Sequence, residues 1–296
     1  MAILSTLPPA HQQIDAPSTR PWRLISFWHL TSLDAPTVAV VWMLAFAWAA
    51  RVRLPAWLPA VLALAAWSFY ICDRLLDARQ ARTPLRARHH FHWRHRRIFL
   101  PLAIASTAVG LALVFHSMPV IARERNSLLA AAALAYFSSV HSPWRPSPRK
   151  FKIPKELLVG ILFTLACAAP VLARIDGLQA ADRRLCLLPP LLCFIALAWL
   201  NCHAIETWES AMEERSVAIR NLGLGLAIVA LLVAAIEVGV HDLRAAALLA
   251  TAALSALLLA LLDKRRYSLT SITLRAAADL GLLTPLILLT HGFFGT

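Results

Sequence analysis

Two sets of carboxylates stand at spacings that would bring them onto common helix faces. Asp73 and Asp77, in Tyr70-Ile71-Cys72-Asp73-Arg74-Leu75-Leu76-Asp77, are i and i+4, so on a helix they share a face about one turn apart. Glu206, Glu209 and Glu213 fall at i, i+3 and i+7 and share a face too, with Asn201 just upstream. Facing carboxylates suit Mg²⁺, a hard ion that keeps some of its waters and is often shared between carboxylates and a substrate's phosphates. Arg and Lys close by would hold the same phosphates through charge-assisted hydrogen bonds. Spacing alone also admits a plainer arrangement: solvated helix ends, with Asp73 paired to Arg74 or to a loop arginine.

The chain that must position these groups has 296 residues, 59% of them hydrophobic and only 15% charged, a mean hydropathy of +0.64 and a net charge of +13. Soluble domains average roughly half apolar and about a quarter charged, so this chain has too little polar surface to cover a core. The same apolar content excludes disorder. An all-α, polytopic transmembrane helical bundle is expected, with residues 31–296 as one membrane domain behind a cytosolic tail, 1–30. The tail carries Pro8, Pro9, Pro17 and Pro21 and has no signal-peptide pattern, so its first 25 residues are expected to be loosely ordered.

A membrane helix needs about 20 mostly apolar residues. Nine such spans are predicted, at 34–50, 56–78, 98–117, 125–141, 155–173, 185–210, 216–238, 243–262 and 271–294. Breakers separate them, among them Arg51 to Pro55, the turn around Pro119, the Pro-rich stretch 142–154 and Asp263 to Arg266. With the tail and the connections after even-numbered spans on one side, 21 of the 29 Lys and Arg residues gather there. The positive-inside rule makes that side cytoplasmic, so the N-terminus is expected inside and, after nine spans, the C-terminus outside. The basic balance thus reads as membrane topology and contact with lipid, not as a nucleic-acid footprint. Both carboxylate clusters then lie at cytoplasmic ends of even-numbered spans.

Several other features are expected to be structural. Cys72, Cys167, Cys186, Cys193 and Cys202 form no CxxC pair and read as small packing residues. His89, His90, His92 and His95 stand among Arg88, Arg94, Arg96 and Arg97; the guanidinium groups oppose a metal, and an interfacial segment against anionic headgroups is the expected role, with gating over a diphosphate site as an alternative. Arg275 and Asp279, at i and i+4, read as an ion pair, and Pro189-Pro190 as a kink or the true start of the sixth span.

Asp73-Arg74-Leu75-Leu76-Asp77, followed by Arg82-Thr83 and Arg86, resembles the first aspartate-rich motif of the UbiA superfamily of intramembrane prenyltransferases. Leu33-Asp34-Ala35-Pro36-Thr37 is similar to the start of that family's first helix, and Arg149 to Pro154, running on to Gly160, to its basic loop. The Glu cluster sits where the family carries its second aspartate-rich motif. Phe69 and Tyr70 occupy positions where the family has Asn-Asp, and Glu replaces Asp in the second motif.

The resemblance implies a UbiA-like fold of nine helices in a bacterial-type inner membrane. It further implies a Mg²⁺-dependent transfer of a prenyl group from an allylic prenyl diphosphate to a lipophilic acceptor. Asp73 and Asp77 would hold one metal, and Glu206 and Glu209 a second, assisted by Asn201 or Glu213. Arg82, Arg86, Lys150 and Lys152 would grip the diphosphate. Trp67, Phe69, Tyr70 and Trp199 are candidates to shield the cation, against a packing role that is common for aromatic residues in membrane helices. Three alternatives remain open: a terpene cyclase on the same framework, a transporter or lipid-binding protein using the carboxylates for cations or protons, and a non-catalytic scaffold.

Overall fold

The computed structural model describes residues 20–80, 87–141, 154–176, 180–209 and 216–293. Among them every regular element is helical: α1 (Arg20–Leu30), α2 (Asp34–Ala49), α3 (Trp57–Gln80), α4 (Ala87–Arg94), α5 (Arg96–Ser117), α6 (Val120–His141), α7 (Lys155–Leu172), α8 (Ala180–Glu209), α9 (Ser216–Gly239), α10 (Leu243–Arg265), α11 (Ser271–Gly281) and α12 (Leu286–Phe293), with a 3₁₀ turn at Arg266–Ser268. In hydrocarbon only closed hydrogen-bonding patterns survive, and the helix supplies one within each segment.

Six helices are long and apolar enough to cross a membrane: α3, α5, α7, α8, α9 and α10. The described residues therefore form a helical membrane bundle, in which six helices, or seven counting the bent pair α1–α2 as one span, have the length and apolarity that a crossing needs. The other predicted spans fall short of that measure for local reasons. The fourth predicted span lies in α6, whose first turns carry Arg123, Glu124 and Arg125. The ninth is interrupted ahead of Pro285, between α11 and α12. The first is only 16 residues long, and residues 24–30 meet it at 91°. Ser32, in the left-handed region at φ 57, makes that turn. Residues 20–25 of the expected loose tail are helical, and α8 begins at Ala180, so the proline pair lies inside it and does not start it.

The core forms where α2, α8 and α10 meet. Trp42 stacks on Phe194 at 3.8 Å between centroids, and its indole N–H donates to the Leu282 carbonyl at 2.9 Å. Small residues let backbones approach: a Cβ on Gly223 of α9 would lie 2.9 Å from the Ala256 carbonyl oxygen of α10, and one on Gly160 of α7 would lie 3.1 Å from the Ile195 oxygen of α8. Apolar faces of α5 and α9, with Ile104, Phe115, Leu232 and Ile236 exposed, remain for lipid. Two caps define entries into the bundle: Asp242 accepts from the Ala245 N–H and Thr270 from the Thr273 N–H.

Candidate functional site

The C-terminal ends of α3, α6 and α8 meet the beginnings of α7 and α11 at one end of the bundle, and α4 is laid across them. On α3, Asp73 and Asp77 point toward His141, the last residue of α6. His141 Nε2 is 3.0 Å from Asp73 Oδ1, and its Nδ1 is 3.7 Å from Asp77 Oδ1. The imidazole is sealed, at 6% exposure, whereas the two carboxylates are 45% and 43% exposed. Gln80, one turn further along α3, donates to the His141 carbonyl at 3.1 Å and fixes the end of α6.

The second cluster divides between neighbours. Glu206 accepts from Lys155 Nζ at 2.9 Å, across the α7–α8 contact, and Lys155 is also 3.6 Å from Glu156. Glu209 receives two guanidinium groups on one oxygen: Arg275 of α11 at 2.6 Å and Arg88 of α4 at 3.1 Å. Next to it, the Trp208 indole N–H donates to Asp263 of α10 at 2.9 Å and holds the end of α8 in place.

Helix α4 joins the two clusters. Arg88 touches Glu209 and donates through Nε to His89 Nε2 at 3.1 Å, while His89 lies 3.8 Å from Asp77. Carboxylates, imidazoles and guanidinium groups thus follow one another at this end of the bundle, from Glu209 through Arg88 and His89 to Asp77. The α3 carboxylates are half-exposed there, and this exposed end is termed the opening. The segment expected to face lipid headgroups instead turns Arg88 and His89 to the protein. His92 is fully buried: its Nδ1–H donates to the Arg88 carbonyl at 2.8 Å, and Ser32 Oγ lies 3.3 Å from Nε2. Burial against Phe91 and Phe99 pushes the His92 pKa down to about 4, so this imidazole is neutral.

Asp73, Asp77 and His141 place ligand atoms within 4.8 Å of one another. Two half-exposed carboxylates next to one imidazole suit a divalent ion that retains waters and accepts phosphate oxygens. No such group of three among the described residues draws on both the Asp and the Glu clusters. Asn201 is separate from both: its amide N–H donates to Asp279 at 3.1 Å. Arg275 and Asp279 are not the pair their spacing suggested, since Arg275 binds Glu209 and Asp279 faces His29 and Asn201. Arg82, Arg86, Lys150, Lys152 and Glu213 lie outside the described residues. Of the aromatic candidates, Trp67 donates to the Thr31 carbonyl and Phe69 packs on Phe137, while Tyr70 lies under the Arg74 guanidinium. Trp199 stacks on His203 and lines an apolar groove of about 560 Å³ between α8 and α9, together with Leu200, Asn221 and Leu226.

Sequence reading missed Arg88 and His89 as site residues, and His141 altogether. The i, i+1 placement of Arg88 and His89, eleven and twelve residues beyond Asp77, was the available signal; His141, 68 residues from Asp73, offered none. Comparison with protein-family models, with the curated proteins and with the solved structures finds no match.

Proposed function

We propose that the protein is a UbiA-type intramembrane transferase that moves a prenyl group from an allylic diphosphate to a lipophilic acceptor, with Mg²⁺ at the diphosphate. The single observation that carries this reading is the α4 bridge: Arg88 contacts Glu209 and donates to His89, which lies 3.8 Å from Asp77, so α4 links the two carboxylate clusters at one end of the bundle. Mixed carboxylate and guanidinium rims of this kind suit a metal–diphosphate complex, which presents both signs of charge.

Asp73 and Asp77 would hold the metal, and their exposure leaves room for waters and phosphate oxygens. Bound there, Mg²⁺ would neutralise charge that develops on the departing diphosphate. Glu209 holds Arg88 and Arg275, and Glu206 holds Lys155, at the opening. Arg88, Arg275 and Lys155 would offer these N–H groups to phosphate oxygens, and Glu206 and Glu209 would then be open to hold a second metal. The resemblance assigns Arg82, Arg86, Lys150 and Lys152 to the diphosphate and Asn201 and Glu213 to the second metal; of these only Asn201 lies among the described residues. Trp199, Ala196 and Leu200 line the α8–α9 groove, six to ten residues before Glu206 on the same helix, and the groove would receive an apolar chain. The charge bias puts this end of the bundle, and the N-terminus, on the cytoplasmic side.

Purified full-length protein, incubated with radiolabelled geranyl, farnesyl or geranylgeranyl diphosphate and Mg²⁺, tests the proposal. Release of inorganic diphosphate, abolished by chelator and by Asp73→Asn, is expected. Absence of release, together with absence of Mg²⁺-dependent binding, refutes it.

A further inference from the structure

Apart from the opening, four side chains from four helices converge in the interior: His29 of α1, Asp34 of α2, Asn201 of α8 and Asp279 of α11. They lie one turn along α11 from Arg275 and about two turns along α8 from Glu209. His29 Nδ1 is 2.6 Å from Asp34 Oδ2 and 3.5 Å from Asp279 Oδ2. Exposure is 2% for His29, 4% for Asp34 and 16% for Asp279, and Asn201 is 6% exposed.

We propose that this cluster is a second metal centre, built for a first-row divalent ion of the Mn²⁺ or Zn²⁺ class and held by His29 Nδ1, Asp34, Asp279 and Asn201 Oδ1, with the Nδ1 proton released to water as the ion takes its place. One imidazole N–H faces two buried carboxylates and can donate fully to only one, whereas each carboxylate withdrawn from water costs several kcal/mol unless compensated. Asn201 gives its N–H to Asp279, yet its Oδ1 is sealed with no donor. An orphaned acceptor on an amide that touches Asp279 is an atom that a cation in this cluster would satisfy.

The geometry agrees. Ligand atoms about 2.1 Å from a shared ion stand roughly 3 Å apart, and the His29–Asp34 and His29–Asp279 separations bracket that value. The ligand atoms of His29, Asp34 and Asp279 all lie within 4.8 Å of one another. An imidazole in the donor set, with no thiolate, favours Mn²⁺ or Zn²⁺ over Mg²⁺ or Cu⁺. The buried Arg74, 3% exposed, acts electrostatically on Asp34 and opposes a cation there, so the site would bind its ion more weakly than the carboxylates alone would. The bound ion would tie α1 to the bundle and is independent of the chemistry at the opening.

The test uses full-length protein without a histidine tag, stripped by chelator and titrated with Mn²⁺ alone. The free-ion signal in electron paramagnetic resonance gives the stoichiometry, and pulsed spectra report ¹⁴N coupling to the bound ion. A His89→Ala/His141→Ala background removes both imidazoles of the opening. In that background, one bound Mn²⁺ with ¹⁴N coupling is expected. Adding His29→Gln should abolish the coupling, and Asp279→Asn should weaken binding at least tenfold. No ¹⁴N-coupled Mn²⁺ in the background protein, whose buried cluster is intact, overturns the proposal even if His29→Gln fails to fold. Unchanged coupling in a folded His29→Gln protein overturns it as well.

Discussion

Asp73 and Asp77 on α3, and Asp34 and Asp279 on α2 and α11, are two carboxylate pairs that each have a histidine within reach, and they differ chiefly in exposure. The α3 pair is 45% and 43% exposed, while the interior pair is 4% and 16% exposed. A half-exposed pair can exchange waters and admit a substrate at little desolvation cost, so its carboxylates are free for chemistry. A sealed pair can stay ionised only while fully compensated, so it is committed to holding helices together.

That contrast is most directly broken by substitution. Asp34→Ala leaves the buried His29 without its closest carboxylate and should destabilise the bundle by about 3–5 kcal/mol, read as a fall in unfolding midpoint in detergent. An unchanged midpoint would mean that the interior cluster contributes no stability. Asp73→Asn/Asp77→Asn should do the reverse, reducing Mg²⁺-dependent diphosphate release by about 10²- to 10³-fold while moving stability by less than ~1 kcal/mol. Equal losses of activity and stability would erase the distinction.

Acid sharpens the contrast through His92, which lies between α1 and the opening. Its pKa is held at about 4 in the folded chain against 6.5 for the ordinary side chain. The unfolded chain therefore binds the extra proton first. Stability is full above pH 6.5 and falls as pH drops toward 4, by about 2 kcal/mol. Chemical denaturation at pH 7 and pH 4.5 should show that loss, and His92→Phe should reduce it. The smallest effect is expected from Arg275→Ala, which removes one of two cations on Glu209 and should weaken diphosphate binding about tenfold, or ~1.4 kcal/mol. Parent-like affinity would remove Arg275 from the rim.

The sequence carried the membrane class and the α3 pair, because composition and an i, i+4 repeat are local properties. Other features depended on what lies across from each residue. Glu206 and Glu209 are three residues apart, so their side chains differ by about 60° around α8. That offset suffices to send one to Lys155 of α7 and the other to Arg88 and Arg275. Asn201 and Asp279 are 78 residues apart, and no periodicity announces their contact. Counting apolar runs also left the breaks within them unseen, since hydropathy does not reveal that Ser32 turns the chain sharply or that α11 stops before Pro285.

Binding of a non-hydrolysable prenyl thiodiphosphate to purified protein, titrated calorimetrically with and without Mg²⁺, tests most directly whether the opening receives a metal–diphosphate. Micromolar or tighter binding that requires Mg²⁺ and is lost in Asp73→Asn/Asp77→Asn is the expected result. Binding that is indifferent to both the metal and the two aspartates, or no binding at all, would contradict it.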